Sequence, residues 1–129
     1  MNTELTYKID AQRRLCIKKD LIELSQWIDM HTAINNELNQ LRLIEKQLLK
    51  NGAIDTNLQG LRRKNALILG MLCKYDQELN TEYEYGKKVY DNERAKMHEK
   101  KRSVHIALIH EFSLLKTTIY NQLLKYHRR

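Results

Sequence analysis

Proline is absent from the sequence, and glycine occurs only at Gly52, Gly60, Gly70 and Gly86. Average usage over 129 residues would give about six prolines and about nine glycines. Sheet proteins need a turn every ~8–12 residues, built largely from Gly, Pro, Asn and Asp. That punctuation is missing, which excludes a sandwich or barrel. Cysteine is scarce too: Cys16 and Cys73 stand alone, without CxxC spacing. They make neither a disulfide framework nor a zinc site. Two reduced thiols fit an intracellular protein of cytoplasm or nucleus. The longest apolar run, Ala66 to Cys73, is far shorter than a membrane span. The opening Met-Asn-Thr-Glu-Leu has neither a basic nor an apolar leader region.

What remains is rich in Leu, Ile, Lys, Glu, Gln and Arg, mostly good helix formers. Charged residues make up 30% and aromatics only 7%, a balance that suits long helices with broad wet faces. The expected fold class is all-α: a long antiparallel, coiled-coil-like hairpin plus a third C-terminal helix, in one domain over 1–129.

The first helix is expected over about 3–50. Its stripe Leu24, Trp27, His31, Ile34, Leu38, Leu41, Leu48 alternates spacings of three and four, with Glu45 the only break. Asn51-Gly52 reads as a turn, with Asp55 or Thr56 capping the next helix. That second helix is expected over about 56–100, with the stripe Leu58, Leu61, Asn65, Ile68, Leu72, Tyr75, Leu79. A six-residue turn makes facing residue numbers sum to about 106. Leu41 then meets Asn65, Ile34 meets Leu72, Trp27 meets Leu79, and His31 lies beside Tyr75. The segment DNERAKMHEKKRS, 91–103, offers only Ala95 and Met97 to a core. Ser103 is therefore expected to cap a third helix over about 104–127. The alternative break is Tyr85-Gly86, with a third helix of about forty residues.

Two surfaces look unfinished on this reading. The Ala66–Cys73 collar is apolar on all sides, and helix 1 covers one of them. Helix 3 has a broad apolar arc. Leu67, Leu69, Met71, Ile106, Ile109, Phe112, Leu115 and Ile119 are the candidate partner-binding residues.

Charge is uneven. Residues 86–129 hold eleven basic and four acidic residues, which carries the whole formal net charge of +7. In the expected hairpin Arg13, Arg14, Lys18 and Lys19 converge with Lys87, Lys88, Arg94, Lys96, Lys100, Lys101 and Arg102. Together they form a candidate surface for an anionic partner or nucleic acid. Tyr83, Tyr85 and Tyr90 lie near the run and could stack on bases, although core-edge packing is the simpler role.

No phosphate loop, HExxH or GxSxG occurs. His98 and His105, seven apart, could share a helix face, but no ExxH pair supports a metal site. His31 reads as a satisfied core histidine. The expected function is a non-catalytic helical adaptor or structural subunit, with a protein partner or homo-oligomer, no cofactor, no small-molecule substrate and no membrane. The alternative is a nucleic-acid-binding protein that uses the basic 87–102 region.

Overall fold

The computed structural model describes residues 3–86 and 89–126. It contains three long helices and, among the described residues, no strand. Helix α1 spans Thr3–Ile44 and closes with a π-helical turn, Glu45–Leu49. Helix α2 spans Gly52–Tyr85, and α3 spans Asn92–Tyr126. No helix among the described residues is long and apolar enough to cross a membrane. Both cysteines are free thiols.

The first turn is tighter than the sequence suggested, and its parts have different roles. The Lys50 N–H donates to the Glu45 carbonyl at 2.7 Å, the i→i+5 bond of a π turn. Lys50, at φ 49°, is the left-handed residue that ends the helix. Asn51, not Asp55 or Thr56, is the N-cap of α2: its Oδ1 accepts from the N–H groups of Ala53 (3.0 Å) and Ile54 (3.3 Å). Gly52 is simply the first helical residue. Glu45, the one break in the apolar stripe, is buried, and its Oε2 accepts from the Asn51 N–H at 3.0 Å. The stripe breaks there because the turn needs an acceptor.

The hairpin is antiparallel, as expected, but its register differs. His31 faces Asn65, Arg13 reaches the Glu82 carbonyl, and Glu45 meets Asn51. Facing residues therefore sum to about 96, not 106. Trp27 does not meet Leu79, and His31 does not meet Tyr75 directly. The reason lies in the periodicity. A shift of ~10.5 residues is three steps of a 3.5-residue repeat, so apolar still meets apolar. Only the polar members tell the registers apart. The expected register left Asn65 against Leu41, while the observed one gives it His31.

Helix α2 ends at Tyr85, not near residue 100. The Gly86 N–H donates to the Glu82 carbonyl at 2.9 Å, and the chain then leaves the helix in an extended conformation. A Cβ at Gly86 would sit 2.6 Å from that same carbonyl oxygen, so this exit admits no side chain. Asp91 restarts the helix: its Oδ1 accepts from the Arg94 N–H at 3.1 Å. Ser103 lies exposed in the middle of α3.

Helix α3 therefore runs antiparallel to α2 and parallel to α1 over nearly its whole length. Lys64 pairs with Glu111 and Arg94 with Glu82 from α2. Arg102 pairs with Glu23 and Lys116 with Glu37 from α1. Its lower half packs on the hairpin with Leu108, Phe112 and Ile119, all buried. Its upper half instead buries His98 and His105.

Candidate functional site

Two features outside the apolar seam stand out. One is a polar layer buried where all three helices meet. The other is the side of the hairpin that α3 leaves bare.

The polar layer begins at Asn65 and His31, both fully buried. Asn65 Nδ2 donates to the His31 carbonyl at 3.0 Å, which leaves Asn65 Oδ1 as the acceptor from His31 Nδ1–H at 2.7 Å. His31 Nε2 then has only a lone pair to offer in the neutral ring. His105 Nδ1, 2.9 Å away, must be its donor. Two tautomers are fixed by one amide. Trp27 lies between His105 and His98, with ring centroids at 5.2 and 5.0 Å and near-parallel planes. Burial pushes His31 below the ordinary histidine range. Burial also lowers His105, and His31 beside it acts in the same direction.

Beyond Trp27 the layer becomes ionic. His98 Nε2 reaches Glu23 Oε1 at 2.7 Å and Asp20 Oδ1 at 3.4 Å, and His98 Nδ1 meets the Tyr75 hydroxyl at 2.7 Å. Tyr90 donates its hydroxyl to Asp20. Arg102 donates to both Glu23 oxygens, at 2.6 and 3.1 Å. Hydrogen bonding from Arg102 holds the Glu23 carboxyl below its usual range. Burial raises both tyrosine hydroxyls.

Asp20, Glu23 and His98 place three ligand atoms within 4.8 Å, a donor set of the kind that holds a divalent ion. The charges argue against one. Glu23 Oε1 already accepts from both His98 and Arg102, and the guanidinium fills the place a cation would take. The cluster is a hydrogen-bonded network in which Arg102 offsets the Glu23 charge.

Of the candidate anionic-partner residues, Arg13, Arg14, Arg94, Lys101 and Arg102 are drawn partly or wholly into the fold. Arg13 is buried against Asp10 and the Glu82 carbonyl. Arg94 and Arg102 hold Glu82 and Glu23, and Arg102 also pairs with Glu99. Arg14 pairs with Asp10 at 3.3 Å, and Arg14 and Lys18 lie over the Tyr83 ring. Lys101 lies over Tyr75. Lys19, Lys96 and Lys100 are exposed. Lys87 and Lys88 fall outside the described residues. Tyr85 is exposed, while Tyr83 and Tyr90 are half-buried.

The candidate partner-binding residues divide. Phe112 and Ile119 are buried in the chain's own core, and Met71, Ile109 and Leu115 pack against it. The longer α3 carries all of these but Met71 into that core. Ile106 and Leu67 are exposed, Leu67 at 77%. Leu69 is half-buried on the other side of the hairpin. There the half-buried positions Arg14, Leu21, Ile28 and Asn35 of α1 run alongside Arg62, Leu69, Asp76 and Tyr83 of α2. Ala66, Gly70 and Cys73 lie beside Leu69 and are exposed. The collar is thus covered by α1 on one face, by α3 on a second, and open on the third.

No protein-family model matches the chain, and no curated protein or solved structure matches it.

Proposed function

We propose that the chain is a non-catalytic helical adaptor or structural subunit that assembles with a partner helix along the outer α1–α2 groove. One observation carries this reading. After α3 has docked, Leu21, Ile28 and Leu69 still form an apolar strip open to water, edged by Ile22, Ala66 and Cys73. A strip of this kind between two parallel-lying helices is the seat of a further helix. Ala66 and Gly70 let such a helix approach closely. Arg14 and Lys18 border one end of the strip, Arg62 the other, while Asp76 between them is bonded to Asn80. The partner is therefore a helix from another chain with an apolar stripe and acidic flanks.

The purified chain alone should self-associate through the same strip, so light scattering is expected to give a mass above the 15.5 kDa of one chain. Ile22→Glu, at a position on the edge of the strip that is 57% exposed, should shift the protein toward the single-chain mass. A stable 15.5 kDa species at all concentrations would sink the proposal. The nucleic-acid alternative draws support from exposed Lys19, Lys96 and Lys100. It requires a well-behaved monomer whose binding falls steeply with salt.

A further inference from the structure

We propose that the His31–His105 pair is a pH-sensitive latch that holds the first half of α3 on the α1–α2 hairpin and releases it on mild acidification. The geometry gives the reason. Asn65 fixes His31 as the Nδ1–H tautomer, and His105 Nδ1–H donates to the bare His31 Nε2 at 2.9 Å. One proton can enter at His105 Nε2 with every bond intact. A second must land on His31 Nε2, where it faces the His105 N–H. Two donors at that distance repel, and one ring carries α3 with it. The rings belong to different helices, so their separation is the undocking of α3 from α1.

The neighbours do not shelter the charge. From α1 the pair meets the Trp27 ring, with Glu23 beyond it; from α2 it meets neutral Asn65. From α3 come His98, Lys101 and Arg102, and Tyr75 of α2 is bonded to His98. Glu23, the carboxylate that could steady a charge on His105, is already engaged by Arg102 and His98. Below the latch α3 stays anchored by Leu108, Phe112 and Ile119, so the opening is local.

The sign follows from linkage. Burial holds both rings below the ordinary value near 6.5, so the closed form resists protons that the open form accepts. Closure is fully favoured above about pH 6.5 and is lost as pH falls below it. Each such histidine steepens the opening equilibrium by up to about tenfold per pH unit. Glu23, held below the usual carboxylate range, does not titrate in this window.

The test follows hydrogen exchange of each helix, corrected for the chemical rate, together with Trp27 emission between pH 7.5 and 5.5. Trp27 is the chain's single tryptophan. In wild type, residues 98–105 should open with a steepness approaching about a hundredfold per pH unit, while 17–41 and 58–79 stay protected. His105→Asn keeps a donor near the Nδ1 position and removes one titrating group, so the steepness should drop to about tenfold. Wild type needs no variant to decide the matter: unchanged α3 exchange and Trp27 emission at pH 5.5 would overturn the latch. So would loss of protection in all three helices together, or a His105→Asn variant that opens as steeply as wild type.

Discussion

Leu72→Asp should abolish most of the fold's stability. Leu72 is 0% exposed in the seam between α1 and α2, and the register places it level with Leu24, also 0% exposed. The cations at that level, Lys101 and Arg102, are already engaged by Tyr75 and Glu23, so a carboxylate in the seam either stays charged without a partner or takes up a proton and remains a poorly satisfied polar group. The lost leucine contacts add to the penalty. A loss of about 4 kcal/mol or more follows, against the ~5–15 kcal/mol typical of a whole domain. Thermal melting by circular dichroism should show a midpoint lower by on the order of 15 °C, or no cooperative transition. A midpoint within error of wild type would show that Leu72 is outside the seam.

Trp27→Ala should cost about 3–5 kcal/mol, the range for buried large aromatics. The indole is stacked between His98 and His105, with the Arg102 guanidinium 5.8 Å from its ring. Its removal opens a cavity at the point where all three helices meet. It also leaves both histidines without the surface that aligns them, so α3 should loosen more than the hairpin does. Denaturant unfolding monitored by circular dichroism measures the loss. A cost below about 1 kcal/mol would mean that the ring is not a core group.

These two positions show what the sequence discloses. Most residues of the seam were legible: Leu24, Trp27, His31, Ile34, Leu38 and Leu41 are buried, as are Leu58, Leu61, Asn65, Ile68, Leu72, Tyr75 and Leu79, whereas Leu48, on the π turn, is exposed. The period alone marks them. Their pairing was not legible from apolar spacing, because a coiled-coil-like stripe slides by whole repeats at little apolar cost. Satisfaction of buried polar groups was the signal that could have decided it. Asn65 needed a partner, and His31 was the polar residue in the opposite stripe.

The third helix was misplaced for a related reason. Residues 92–103 looked too polar to pack, and apolar residues were the only ones counted as core. The α3 face there is His98, Arg102 and His105, which bury because Asp20, Glu23 and Tyr75 wait on the other two helices. Those partners lie 23 to 79 positions away in sequence, beyond the reach of local pattern. The same omission hid the inward-turned part of the basic set, while Lys18, Lys19, Lys96 and Lys100 stay exposed. Arg94 and Arg102 are half-buried and paired with Glu82 and Glu23, and the charge left outside belongs mainly to lysines.

The central claim is that the outer α1–α2 groove seats a helix of another chain, and Cys73 is a built-in reporter of it. Its thiol is exposed on that groove, one turn from Leu69. The most direct measurement is the rate of maleimide modification at Cys73, read by peptide mass, in the associated protein and after dilution to single chains. Modification should be slow in the assembly and fast after dissociation. Equal rates in both, with association intact, would place the interface elsewhere and contradict it.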